Sequence, residues 1–198
     1  MASILVVCTG NVCRSPIAEG VLRSLLEDRF GDRSPSVASA GTAGWAGSPA
    51  DPGSVAAAAE LGVDISEHRG RLLTPAQLDE SALVLAMAAE HRTAVGRSRP
   101  EVGDRTFTLK ELVRLLERLP VPVGTGVPDD ALATRAVEAN TLRRNGFKGN
   151  RRDEDVEDPL GLPLPAFRAV AIEIEEWCGR LARGLFGPVP ARAEAEGA

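Results

Sequence analysis

The chain has 198 residues, with 23 basic against 28 acidic side chains and a net charge of −5. That length, with 43% apolar residues, fits one domain of ordinary size around a packed core. A mildly acidic balance gives no global pull toward nucleic acid or anionic membrane, and three cysteines are too few, and odd in number, for a secreted disulfide framework. The N-terminal SILVVC is a short apolar run with β-branched residues that ends at a Gly-Asn turn signal, so it reads as a buried strand. Ser15-Pro16 reads as the next helix start, with serine as cap and proline in the first turn. Ala18, Val21, Leu22, Leu25, Leu26 and Phe30 follow at helical spacing, and Gly31 stops the helix. The loop between them falls at the carboxyl end of a strand, where open α/β sheets keep their ligand sites.

The alternation continues. SVASAG (36–41) predicts a second strand and DPGSVAAAAELG a helix that begins near Asp51 and stops at Gly62. SALVLAM (81–87) predicts a third buried strand, and AAEHRTAVG a short helix with His91 toward solvent. A short fourth strand is expected near DRTFT, then the amphipathic TLKELVRLLERL, capped by Thr108. In the last helix Phe167, Val170, Ala171, Ile174, Trp177, Cys178, Leu181 and Leu185 share one face, so Trp177 and Cys178 read as core. Strands alternating with helices predict an α/β, doubly wound, four-stranded, mostly parallel sheet with helices on both faces. PVPVGTGVPDD (120–130) reads as a loop, and 131–157 as a solvated helix followed by an exposed charged loop. The expected organisation is a single domain over 1–186 with an inserted region near 97–155, and a disordered tail over 187–198. No signal peptide is read, and ALVLAMAA is too short to span a bilayer, so a cytoplasmic protein without membrane insertion is expected.

The chemistry concentrates in CTGNVCRS. A metal knuckle is a poor reading, because Cys8 and Cys13 lack the two-residue gap of zinc sites and only Cys178, His68 and His91 remain as further ligands. No metal and no cofactor is expected. Phosphate chemistry accounts for every residue type. A strand–loop–helix turn points backbone N–H groups and a helix dipole at an anion. Gly10 allows close approach, and Arg14 supplies a planar fork for two phosphoryl oxygens. A cysteine in that nest is favoured as a thiolate, an in-line nucleophile toward phosphorus. The Walker pattern is absent.

CTGNVCRSPIAE resembles the signature loop of the low-molecular-weight protein tyrosine phosphatases. SAGTAGWAGSPADP (39–52), ISEHRGRLLT, SALVLAM and EDPLG (157–161) resemble its later segments in family order. The resemblance implies Cys8 as nucleophile, and Thr9, Gly10, Asn11, Val12, Cys13 and Arg14 as the phosphate cradle. It implies Ser15 as hydrogen-bond donor to the sulfur, Asn11 as loop brace with Ser39 and His68, and Asp158 as general acid and then base. Pro159 would stiffen the acid loop, Trp45 would wall the cleft, and Cys13 would guard Cys8 through a reversible disulfide. Two features depart from the pattern. Leu160 and Gly161 stand where the family often has aromatics, and the chain has no tyrosine at all. The inserted region carries Arg143, Arg144, Lys148, Arg151 and Arg152, read as a solvated face or a rim for acidic segments.

The implied substrate is a phosphotyrosine-containing protein, with bacterial tyrosine kinases as candidate partners, no nucleic acid, and a monomer or weak dimer as the working state. An arsenate reductase of this fold would need a relay of cysteines that the middle of the chain lacks. A protein arginine phosphatase is the nearer alternative, and in the resembling families a threonine before the second cysteine goes with it; here that residue is Val12. A non-catalytic phosphate-binding or redox-sensing module would be expected to lose the acid or the nucleophile, and both are kept.

Overall fold

β1 (Ser3–Cys8) is apolar on both sides, as a parallel strand covered on both faces must be. In the computed structural model, which describes residues 3–122, 128–147 and 153–188, it sits inside a four-stranded sheet. The order is β2-β1-β3-β4, with β2 (Ser36–Gly41), β3 (Leu83–Ala86) and β4 (Thr106–Thr108), and every pairing is parallel. Helices must therefore carry the crossovers. Ile4 and Val6 face the main core, shared with α1 (Arg14–Phe30), α2 (Pro52–Glu60), α5 (Leu109–Leu116) and α7 (Leu164–Phe186). Leu5 and Val7 face a second cluster with Leu78 of α3 (Pro75–Glu80) and Val95 of α4 (Ala89–Ser98).

The sequence signals hold where they are local. Thr108 and Glu111 cap α5 reciprocally, and the eight residues assigned to the apolar face of α7 are all buried. α3 was not anticipated, although Thr74 and Gln77 form a capping box that the sequence displays. The chain leaves β1 toward β2 on one side and returns to β3 on the other. This reversal opens a crevice at the carboxyl end of β1, at residue 8.

Three expectations are corrected. α1 begins at Arg14, one residue before the expected cap, because the Ser15 hydroxyl is spent elsewhere. The described residues of 131–157 are not solvated throughout. α6 (Pro128–Arg144) buries Leu132, Ala136 and Ala139 at i, i+4 and i+7 against the main core, a stripe masked by the charges between them. Past the undescribed residues, Glu154 and Val156 are buried, and the Val156 N–H donates to Met87 O at 2.8 Å. Arg143 is no rim residue: its guanidinium lies 4.3 Å from the Phe107 ring centroid and donates to the Thr106 and Gly103 carbonyls. Arg144 stays exposed beside Asp104. Lys148, Arg151, Arg152 and 189–198 of the expected tail lie outside the described residues. Among the described residues no helix is long and apolar enough to cross a membrane.

Candidate active site

The loop 9–13 is held from outside by its carbonyls. Cys8 O accepts from Thr42 N, Thr9 O from Ala43 N, and Val12 O from Asp51 N, at 2.9–3.0 Å. With carbonyls turned outward, amides turn inward, and the Asn11 N–H points at Cys8 Sγ at 3.2 Å. Asn11 takes a left-handed conformation, φ 56°, which asparagine tolerates better than most side chains. Its fixation is complete. Nδ2 donates to Ser39 Oγ (2.7 Å) and Ser15 Oγ (2.9 Å), and Oδ1 accepts from the Arg71 N–H (2.8 Å). His68 braces the same residue through its backbone rather than its side chain, with Nε2 at 2.9 Å from Asn11 O. A carbonyl only accepts, so Nε2 carries the proton; burial favours the neutral ring and pushes the His68 pKa down. Ser39 donates onward to the buried carboxylate of Glu19, which also holds Arg23 and Arg71. Glu19, one turn after Ser15 on α1, is a brace that the sequence reading missed.

Two glycines let neighbours close on the loop. A Cβ on Gly10 would lie 3.0 Å from Trp45 Cδ1, and one on Gly41 of β2 would lie 2.6 Å from Thr9 O. Trp45 thus rests against the loop while remaining 48% exposed.

Cys8 is buried at the end of β1, with Ser15 Oγ 2.9 Å from its sulfur. That oxygen accepts from Asn11, and its own proton is free to point at Sγ. Arg14 is buried too. Nη1 donates to Val156 O (3.1 Å) and Nη2 to Asp158 Oδ2 (2.6 Å), with Thr9 Oγ1 at 3.5 Å from Nη2. Nε has no partner among the described residues. A buried guanidinium donor without an acceptor is costly, by about 1–3 kcal/mol, unless a ligand supplies one. Asp158 is half-exposed, and its Oδ1 accepts from Leu160 N–H just past Pro159. Its loop is pinned upstream: Asp155 Oδ1 accepts from Ala89 N–H (2.7 Å), and Arg92 holds Glu154 (2.8 Å).

One other predicted residue turns out differently. His91 is not solvent-facing; it is 1% exposed, and its Nε2 lies 2.9 Å from Thr9 Oγ1. The available signal was its place five residues past β3, on the ligand-bearing edge of the sheet. Cys13 is a free, buried thiol, pushed up to about 12 by burial first and by the nearby Asp51 and Asp158 charges. At pH 9 about one such thiol in a thousand is ionised. Iodoacetate labelling of Cys13 in the folded protein is therefore expected to stay slow from about pH 6 to pH 9, as read by peptide mass mapping. A labelling rate rising with an apparent pKa near 8 would contradict this environment.

A thiol at a strand end, cradled by amides and faced by an arginine whose free donor awaits an anion, with a carboxyl on the opposite loop, is the equipment of a cysteine-dependent phosphomonoesterase. The comparisons agree. Residues 3–123 match the family described as low molecular weight phosphotyrosine protein phosphatase. The chain is 39% identical over 110 residues to the probable low molecular weight protein-tyrosine-phosphatase EpsP of Ralstonia solanacearum, covering 56% of this chain and 72% of that protein. It is 32% identical over 182 residues to a protein-arginine-phosphatase of Geobacillus stearothermophilus, covering 92% and 95%. The crystal structure of the low molecular weight protein tyrosine phosphatase from T. tengcongensis superposes with a TM-score of 0.69 at 32% identity, covering 93% of this chain and all of that one. The chain belongs to the low molecular weight phosphotyrosine protein phosphatase family.

Proposed function

We propose that this enzyme hydrolyses phosphotyrosine in proteins through a phosphocysteine on Cys8. The Cys8 sulfur attacks phosphorus in line, the S–P bond forms and the P–O bond to the phenol breaks. Protonated Asp158 passes its proton to the departing oxygen. Water then attacks phosphorus, Asp158 takes its proton, the S–P bond breaks, and inorganic phosphate leaves with the thiolate restored. Arg14 clamps the equatorial oxygens, using Nε and Nη2 as the fork. The Ser15 hydroxyl stabilises the sulfur anion each time it forms, and Asn11, Ser39 and His68 keep the cradle in shape. Trp45 supplies an aromatic wall, and Gly10, Val12 and Cys13 complete the loop. The observation that carries this reading is the Arg14 Nε, without a partner among the described residues, beside the Cys8–Ser15 pair.

The physiological substrate class is a phosphotyrosine protein, tyrosine kinases carrying their own phosphate included. The reading goes with a cytoplasmic monomer or weak dimer, built as a single domain over 1–186, and three free buried cysteines support a reducing compartment. Hydrogen peroxide would oxidise Cys8 to a sulfenic acid with release of water, and Cys13 would then displace a second water from it to close the disulfide.

One observation favours a second substrate. A cleft of about 770 Å3 runs from Arg14 and Asp158 along Glu90, Asp153, Asp155, Glu157 and Glu173, with Lys110 as its other cation. That acidic lining borders the Asp158 loop and would draw a cationic substrate segment, and a relative aligned over 92% of this chain is a protein-arginine-phosphatase. Steady-state kinetics on matched phosphotyrosine and phosphoarginine peptides decide. The proposal expects phosphotyrosine to lead in kcat/KM by about tenfold or more; the reverse order would move the assignment to phosphoarginine.

A further inference from the structure

His91 enters the core from the first turn of α4, and nothing in the phosphatase chemistry calls for it. Its Nε2 meets Thr9 Oγ1 at 2.9 Å, while Nδ1 has no partner among the described residues. Glu90 Oε1 lies 3.3 Å from Nε2, and Arg14, Asp155 and Asp158 are the other charges facing the ring. Burial first, and the Arg14 charge next, push this imidazole down to about 4, so it is neutral at working pH. A neutral ring has one N–H. Placing it on Nε2 leaves a bare acceptor at Nδ1, which is tolerated better than an orphaned donor.

Thr9 Oγ1 has two hydrogen-bond neighbours, His91 and the Arg14 Nη2 at 3.5 Å. In this structure Arg14 is also held by Asp158 at 2.6 Å. A carboxylate bound to the guanidinium cannot act as the acid, so it must let go when a phosphoryl group takes the fork. Arg14 then keeps two protein anchors, Val156 O and the Thr9 hydroxyl.

We propose that His91 is a positioning residue of the phosphate loop: its Nε2–H fixes the Thr9 hydroxyl oxygen, which holds the Arg14 fork in its phosphate-binding orientation after Asp158 is released. The inference rests on the phosphoryl-transfer reading above. A cation at this place would repel Arg14, and an apolar side chain would leave the threonine hydroxyl free to turn among its rotamers.

The test measures p-nitrophenyl phosphate turnover, inhibition by inorganic phosphate and thermal stability for wild type, H91F, H91Q, T9V and the H91F/T9V double variant. H91F and T9V should each lower kcat/KM about tenfold and weaken phosphate inhibition in step, since both loosen the same clamp. The double variant should lose no more than either single one, the signature of a shared path. The amide N–H of H91Q can replace the lost donor and should restore activity to within about threefold of wild type. Multiplying losses in the double variant, or unchanged phosphate inhibition in T9V, would overturn the proposal; T9V carries the test if H91F melts early. Wild type as inert as Cys8→Ser would instead remove the phosphatase reading itself.

Discussion

Replacing Cys8 with serine is expected to lower p-nitrophenyl phosphate turnover on the order of 10^4-fold or more while leaving phosphate binding nearly intact. The two halves of the result have different causes. Turnover needs the sulfur as nucleophile and leaving group, and a serine hydroxyl offers neither at neutral pH without a base. Among the described residues the only groups in hydrogen-bond contact with Cys8 Sγ are the Ser15 hydroxyl and the Asn11 N–H, and neither is a base. Binding needs the amides of 9–14, the Arg14 fork and the helix dipole, all of which survive the exchange. Serine is also close to cysteine in size, so the packing at the end of β1 changes little. Calorimetric titration with inorganic phosphate should give an affinity within about tenfold of wild type, the scale of one displaced hydrogen bond. Loss of binding together with turnover would mean that the variant damages the cradle rather than the chemistry.

Asp158→Asn should reduce kcat by about 10^2 to 10^4 on phenyl phosphate, and by at least about tenfold less on p-nitrophenyl phosphate. Phenolate is a poor leaving group and needs the proton that asparagine cannot give; nitrophenolate leaves without it. The second step also loses its base, so phosphoenzyme should accumulate on the good substrate. The fold is expected to tolerate the change. Asp158 is half-exposed, and its pair with Arg14 is correspondingly screened. Equal losses on both substrates would remove Asp158 from the proton-transfer role.

The fold was legible because its signals are local or periodic. Apolar runs, the Thr108 cap and the one-sided stripe of α7 each dictate structure within a few residues. The nucleophile loop was legible for the same reason, since Cys8, Arg14 and Ser15 fall inside one turn of strand–loop–helix. What sequence could not supply was partnership across the chain. Ser15 looks like a helix cap until Cys8 Sγ and Asn11 Nδ2 compete for its oxygen. Glu19 looks like a surface acid until β2 brings Ser39 to it and the loop at Arg71 closes over it. His91 sits in a polar helix whose amphipathicity is weak, and only the sheet order puts it beside Thr9. The stripe of α6 was hidden because polar composition outweighed three small or apolar residues that find the core.

The account stands most directly on where the phosphoryl group goes. Alkaline quenching of Asp158→Asn during p-nitrophenyl phosphate turnover, followed by peptide mass analysis under conditions that preserve thiophosphate esters, should find a phosphoryl adduct on Cys8, and none in the Cys8→Ala/Asp158→Asn double variant. An adduct on another residue, or steady release of nitrophenol with no protein-bound phosphate at any time, would contradict it.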